Sequence, residues 1–279
     1  MMRYIRLYNK FFQQYIKVLI EYRASLVLGL IGFLLVQFTG IIFIQLIFNS
    51  VPTLDGWGFY EILFIYGMAQ IPRGIDHVFT DYLWIFTWKT IVEGEFDRYL
   101  LRPLNPLFQV ISESVQPDGL GEIIVGVMLT VYSSAKLGIQ FGIKKLIILV
   151  VVIIFSTIIY SAIKLAVASI AFWTKSSFSY LFMTYQISSF AKYPIGIYPK
   201  VIKFILIGII PFAFTGYYPA AYFLGKESFQ VGVLLTVIIS LISITVAYKI
   251  WTIGIRSYES AGSWYFRKTL YEISWIFRI

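Results

Sequence analysis

The sequence predicts an all-α polytopic membrane protein. Of its 279 residues, 59% are hydrophobic, 19% are aromatic and only 13% are charged, and the mean hydropathy is +0.79. Soluble domains usually contain about 45–50% apolar residues, so most of this chain is expected to lie in a bilayer. The absence of cysteine excludes disulfide scaffolds, thiolate chemistry and cysteine-ligated metals. The net charge of +9 is expected to face anionic lipid headgroups at the cytoplasmic surface rather than nucleic acid.

The first part of the chain predicts one interfacial helix and one membrane span. Basic residues are interleaved with apolar ones over 1–23, which indicates an amphipathic helix lying on the cytoplasmic membrane surface. Residues 24–48 are apolar and long enough to cross a hydrocarbon core of roughly 30 Å. The segment 49–58 contains no Lys or Arg, so we expect it to be external.

The second span, residues 59–86, is interrupted by ionisable residues. Charged groups in a span are costly when they face lipid, so we expect them to face the protein interior or the cytoplasmic interface. Arg73 and Asp76 are close enough in sequence to predict an ion pair. His77, the one histidine of the chain, is interpreted either as a polar packing residue or as a proton relay.

A polar loop follows at residues 88–106, on the cytoplasmic side by alternation. A short helix is predicted over 88–101, and Pro103 ends it by disfavouring helical geometry in the residue before it. Asn105 and Pro106 then predict the cap and the first residue of a second helix. Two interpretations of this loop stay open, a surface that contacts another protein or an ordinary solvated connection.

Four further spans are predicted at 112–135, 146–173, 176–194 and 231–253. Glu122 in the first of these is expected to turn inward, and Lys164 to snorkel, to pair with a neighbouring span or to line a pathway. Six crossings keep the basic C-terminal tail, residues 264–279, in the cytoplasm, whereas seven would place it outside. One remaining apolar stretch must therefore fail to cross.

That stretch is predicted to be residues 195–225, as an external re-entrant hairpin. It is broken by Pro199, Pro211, Gly216 and Pro219. Irregular backbone of this kind is tolerated at membrane depth where it packs against protein.

The order of these elements resembles the permease subunits of ABC-2 type exporters, in particular the ABC-2 family of bacterial export permeases. The loop sequence from Glu93 to Pro106, EGEFDRYLLRPLNP, is the most specific part of the resemblance. The hairpin sequences YPIGIYP from Tyr193 and YYPA from Tyr217 are similar too, as is YESAGS from Tyr258. The resemblance covers residues 1–263 and places the transmembrane domain at 24–263.

The resemblance implies an exporter in the bacterial plasma membrane, with cytoplasmic termini. This chain would pair with a second permease, identical or homologous, and with two ATPase subunits that bind ATP and Mg²⁺. The loop 88–106 would couple the permease to the ATPase. The expected docking residues are Glu93, Glu95, Asp97, Arg98 and Arg102. The sequence contains no complete phosphate-binding loop, so ATP is expected on the partner chain.

The substrate is not specified by any motif. Candidate substrate-pathway residues are Gln37 and Gln45 on the first span, with Arg73 and Asp76 on the second. No catalytic residue and no metal site is predicted.

Two other function classes stay open. A proton-driven secondary transporter would titrate at Asp76, His77, Glu122 or Lys164. An intramembrane enzyme acting on lipid would use a cluster of ionisable groups around Arg73, Asp76 and His77.

Overall fold

The computed structural model describes residues 6–10, 13–14, 17, 21 and 23–260. Those before residue 23 are helical, and the predicted tail at 264–279 lies outside the described residues. Across the described part of the chain, regular structure is helical except for one isolated bridge between Leu54 and Trp57.

Six longer helices form the body of the protein. They are α1 (Arg23–Ser50), α2 (Phe59–Thr80), α3 (Gly119–Leu137), α4 (Ile143–Ser169), α5 (Phe178–Ser188) and α6 (Leu235–Arg256). Short α-helices lie at Tyr82–Ile85, Asp97–Leu100, Pro106–Ser112, Ala171–Thr174, Lys200–Phe204 and Tyr217–Phe223. The π-helical turns are Phe86–Thr90, Ile205–Ile209 and Gln230–Leu234, and the 3₁₀ turns are Ser189–Lys192, Ile195–Ile197 and Phe212–Thr215.

Four helical segments within the described residues are long and apolar enough to cross a membrane. They are Val27–Ser50, Gly119–Leu137, Ile143–Thr174 and Gln230–Arg256. The helix α2 carries ionisable residues along its length, and α5 has only 11 residues. The chain is therefore a multi-pass membrane protein, and the count of six crossings stays a prediction.

The connections between helices gather at two ends of the bundle. At one end, which we call the hairpin end, the Lys226 ammonium donates to Glu61 at 2.7 Å and to the Gly56 carbonyl at 3.1 Å. At the other, the loop end, the Ser177 amide donates to the Thr87 carbonyl at 3.1 Å. The loop after α2 and the segment after α4 thus lie together at the loop end. The segment after α6 joins them there, because the Ser260 hydroxyl donates to Asp97 at 2.5 Å.

Glycines bring α2 and α3 into close contact. On each helix two of them stand seven residues apart, Gly67 and Gly74 on α2 and Gly119 and Gly126 on α3. A Cβ on Gly74 would lie 2.8 Å from the Gly119 carbonyl oxygen, and one on Gly67 would lie 2.8 Å from that of Gly126. The two backbones are in contact along this glycine seam, as small residues permit between membrane helices. This seam was not predicted, although the repeated spacing of the glycines is visible in the sequence.

The helix α3 begins later than predicted. Its first residue is Gly119, whereas the span was expected from residue 112, which instead ends the separate helix Pro106–Ser112. Between the two helices the Gln116 amide donates to the Val78 carbonyl at 3.0 Å, which holds the chain against α2 before α3 starts.

The helix α1 is packed much more loosely than α3. Only 12% of its apolar segment is buried, against 44% in α3. Among its described side chains, Gln37 and Ile44 are the buried ones. Most of α1 therefore presents apolar side chains outward.

The segment predicted as a re-entrant hairpin has two helical arms and an apex. Pro199 caps the first arm, which runs from Lys200 to Ile209, and Pro219 lies in the second arm, Tyr217–Phe223. Pro211 stands at the apex, where the first arm ends. Its depth in the membrane stays a prediction.

The apex of the hairpin packs between α2 and α4. The Ser156 hydroxyl on α4 donates to the Phe214 carbonyl at 3.1 Å. A Cβ on Gly216 would lie 2.5 Å from that of Ala69 on α2, so only glycine allows this approach. The irregular backbone of the apex is thus enclosed by protein.

Candidate functional site

The loop after α2 folds as a compact unit, residues 86–112. The predicted helix over 88–101 is wrong in extent, because only Asp97–Leu100 is α-helical and Gly94 adopts a left-handed conformation with φ of +71°. The predicted cap is confirmed: Asn105 Oδ1 accepts hydrogen bonds from the Leu107 amide at 2.9 Å and the Phe108 amide at 3.3 Å, and Pro106 is the first helical residue.

A buried aromatic side chain fixes this loop to the bundle. Phe96 is 0% exposed and its ring packs against those of Phe86, Phe172, Trp251 and Tyr258, with centroid distances of 5.7, 5.2, 6.1 and 5.0 Å. Aromatic pairs of this geometry each contribute about 0.5–1.5 kcal/mol beyond area burial. The loop is therefore held against the segments that end α4 and α6.

Most of the predicted docking charges have partners inside the protein. Arg98 donates to Glu113 at 2.9 Å and to the Tyr99 hydroxyl at 2.8 Å, and Glu95 lies 4.0 Å from the same guanidinium. Asp97 accepts from the Ser260 hydroxyl at 2.5 Å. These charges therefore contribute to the shape of the loop.

The hydroxyl groups of Tyr99 and Tyr82 lie 3.1 Å apart and connect the loop to the end of α2. Burial, together with the bond to Tyr82, raises the pKa of Tyr99, so its phenol stays neutral in the physiological range. A neutral phenol can accept from Arg98 and still bond to Tyr82.

The outer surface of the loop is formed by different residues. Leu101 is 86% exposed and Leu100 is 43% exposed. Glu93 and Arg102 are exposed too, and their side chains have no hydrogen-bond or ion-pair partner in the described part of the chain. The surface that can meet a partner is an apolar pair flanked by one charge of each sign.

A second polar region runs along one side of α2. Its members are Tyr66, Gln70, Arg73, His77 and Asp81, at helical spacings of four, three, four and four residues, and we call them the polar stripe. Only Arg73 and His77, in its central part, were predicted as candidates from the sequence. The helical spacing was the signal that could have identified all five members of the stripe.

The outer part of the stripe connects α2 to α1. Gln37 is only 4% exposed, and its side-chain carbonyl accepts from the Tyr66 hydroxyl at 2.8 Å and from the Gln70 amide at 2.5 Å. The structure thus places this candidate pathway residue inside the protomer, in a hydrogen-bonded contact between two helices.

The central part of the stripe belongs to an ionic cluster that also contains Asp76, Glu122 and Lys164. Arg73 lies 3.6 Å from Glu122 on α3, and its guanidinium stacks 4.1 Å above the ring of Tyr185 on α5. Lys164 on α4 lies 2.7 Å from Asp76 and 3.1 Å from Asp81. The predicted pair between Arg73 and Asp76 is wrong, because each residue meets its partner on a different neighbouring helix.

His77 lies between two carboxylates. Its Nε2 is 3.4 Å from Asp81 and its Nδ1 is 3.9 Å from Glu122, which is fully buried. Glu122 turns inward as predicted. This position agrees with the packing interpretation of His77, while the relay interpretation stays a hypothesis.

A small cavity adjoins the ionic cluster. It measures about 30 Å³ and is bounded by Arg73, Lys164, Tyr160, Tyr185 and Phe212 among others. This volume has room for about one or two water molecules, whereas ligand pockets usually measure about 300–1,000 Å³. In this conformation the cluster holds helices together and leaves no space for a bulky substrate. Among the residues that the structure describes, no group of three or more His, Asp or Glu side chains is arranged to hold a metal ion.

Gln45 lies apart from the other candidate pathway residues. It is exposed on α1, and its amide donates to Asn49 at 3.2 Å. Gln37, Arg73 and Asp76 are buried inside the protomer. The four residues therefore do not form one site.

The comparison with protein families gives one finding. The chain matches the family model described as ABC-2 family transporter protein over residues 34–262, a range that includes most of α1, the loop, the polar stripe and the hairpin. No curated protein and no solved structure matches the chain.

Proposed function

The chain belongs to the ABC-2 family of transporter proteins, and we propose that it is the permease subunit of an ABC-type exporter whose ATP is hydrolysed on separate subunits. The observation that carries this proposal is the loop 86–112, which is fixed to the bundle on its inner side and presents unpartnered residues on its outer side. A partner that binds this loop can displace the helices to which it is attached.

The proposed assembly contains two permeases, identical or homologous, and two ATPase subunits carrying ATP and Mg²⁺. It lies in the bacterial plasma membrane with six crossings per permease, cytoplasmic termini and the hairpin 195–225 in the outer leaflet. The position of the loop and of residues 257–260 at the same end of the bundle supports this orientation. Basic residues after α6 favour the cytoplasm for that end.

We assign the second permease to the exposed side of α1. Gln45 lies one turn inside the predicted span and donates to Asn49 at its end, and the side-chain carbonyl of Gln45 would be unsatisfied in hydrocarbon. Contact with another protein chain, or with a pathway between the two permeases, satisfies it. Gln45 is thus the candidate pathway residue that this arrangement favours, and Gln37, Arg73 and Asp76 hold the protomer together.

The mechanism that we propose is a rigid-body displacement. The loop joins α2 to α3, and the glycine seam keeps these two helices in backbone contact. A push on the loop during ATPase closure therefore moves both helices as a unit. The ionic cluster extends the displacement to α4, to which α2 is linked through Lys164.

Affinity purification from native membranes tests this function. The full chain is purified in a mild detergent that is shown to retain the peripheral subunits of another membrane complex in the same preparation. We expect stoichiometric recovery of an ATPase that carries a complete phosphate-binding loop. Recovery of the chain alone under these conditions would contradict the proposal.

A further inference from the structure

We infer that the ATPase is held by an apolar anchor, Leu100 and Leu101, rather than by the charged residues of the loop. This inference rests on the proposed function and specifies the chemistry of its docking surface. Leu101 is 86% exposed although the loop beneath it is packed against an aromatic core. A large apolar side chain that is rigidly held away from its own protein is suited to a groove in another one.

The charges of the loop do not offer an equivalent anchor. Arg98, Glu95 and Asp97 interact with Glu113, with each other or with Ser260, so a partner would have to displace these contacts to use them. Glu93 and Arg102 remain, and exposed charges at the rim of an interface mainly affect association rates and specificity.

The charge of the loop argues for a protein rather than a lipid surface as the occupant. Residues 86–112 contain three acidic and three basic residues, so the loop has no net charge, although the whole chain carries +9. An anionic membrane surface attracts basic segments and offers this loop no net attraction. The matching partner surface is an apolar groove whose rim carries charges of both signs, opposite Glu93 and Arg102.

The test measures how tightly the co-purified ATPase binds to the full chain in lipid nanodiscs. The variants are Leu101→Ser, the conservative Leu101→Met, and Ile143→Ser as a matched control. Ile143 is a suitable control because it is 80% exposed at the opposite, hairpin end of the bundle. We expect Leu101→Ser to weaken binding by about tenfold or more, as truncation of an anchor residue does. Leu101→Met and Ile143→Ser should bind like the wild type.

A salt titration separates the apolar anchor from the charges. At about 1 M salt the Debye length falls to about 3 Å, so binding that depends on exposed charges should be lost while apolar binding persists. We expect the complex between the wild-type chain and the ATPase to remain assembled at this salt concentration.

The outcomes distinguish this inference from the function on which it rests. If Leu101→Ser binds like the wild type while Arg102→Glu abolishes binding, the apolar anchor is wrong and the permease function stands. If Leu101→Ser alters the thermal stability of the chain in nanodiscs but not ATPase binding, lipid occupies the surface and the inference is wrong. If the wild-type chain binds no ATPase, the proposed function fails and the inference fails with it.

Discussion

The helices α1 and α2 are neighbours in the sequence but differ in how they are held. The helix α2 is in backbone contact with α3, is linked to α4 by ion pairs and bears the loop at its end. Only 12% of the apolar segment of α1 is buried, and its buried polar contact is made through Gln37. The difference shows that the described part of the chain is built around α2, whereas α1 keeps most of its apolar surface exposed.

The largest expected loss of stability comes from Lys164→Ala. This substitution removes the cation that lies between Asp76 on α2 and Asp81 at the end of that helix. Asp76 would remain buried without its cation, and breaking a buried pair in this way costs about 3–5 kcal/mol. Asp81, which is half-buried, would keep His77 as a partner. Thermal unfolding of the purified chain measures the loss. Lys249→Ala on the exposed side of α6 is the control and should have little effect. A similar midpoint for the two variants would contradict the central position of α2.

The glycine seam gives the next largest effect. Gly74→Ala would place a methyl group 2.8 Å from the Gly119 carbonyl oxygen, and overpacking of this kind costs about 1–3 kcal/mol. The matched change on α1 is Gly32→Ala, where no atom lies within 4 Å of the new Cβ. That variant should keep or raise the unfolding temperature, because alanine favours the helix. Equal losses of unfolding temperature at both positions would show that α1 is packed as tightly as α2, which would contradict the comparison.

Substitutions at two glutamines allow the two sides of α1 to be compared directly. Gln37→Leu leaves the buried Tyr66 and Gln70 without their acceptor, which should cost about 1–3 kcal/mol of unfolding free energy. Gln45→Leu should change protomer stability by less than about 0.5 kcal/mol, since Gln45 bonds only within α1. Its effect should appear instead in the permease dimer fraction, measured by light scattering of the detergent complex. Loss of protomer stability in Gln45→Leu would show that this side of α1 already packs within the protomer.

The smallest expected effect concerns the loop. Arg98→Gln removes the ionic contact with Glu113, and because Arg98 is largely exposed the loss should be at most about 1 kcal/mol. Hydrogen exchange of amides in 97–112 should become faster, whereas Arg102→Gln should leave it unchanged. Faster exchange in both variants would mean that Arg102 also supports the fold of the loop.

Local chemistry in the sequence was sufficient to predict the class of protein and several structural elements. Composition identifies the membrane protein, and Asn105 with Pro106 identifies a helix start, because these signals depend only on neighbouring residues. The inward position of Glu122 could also be predicted from the sequence, because a carboxylate that faces lipid costs free energy.

The remaining features depend on contacts between distant residues. The partner of Arg73 is Glu122 rather than Asp76, which could not be known before α2 and α3 were placed side by side. The exposure of Leu101 could not be predicted from the sequence, because it results from how Phe96 fixes the backbone. The proposed docking surface therefore depends on the tertiary structure.

Photo-crosslinking from two positions tests the account most directly. The chain has no cysteine, so a single introduced one can carry the crosslinker. The positions are Leu101→Cys on the loop and Phe38→Cys on α1, which are 86% and 57% exposed. Phe38 lies two helical turns before Gln45 on the same side of α1. In native membranes we expect the first position to crosslink to the ATPase and the second to another permease. Crosslinking of the ATPase from Phe38, or of only lipid from Leu101, would contradict the proposed assembly.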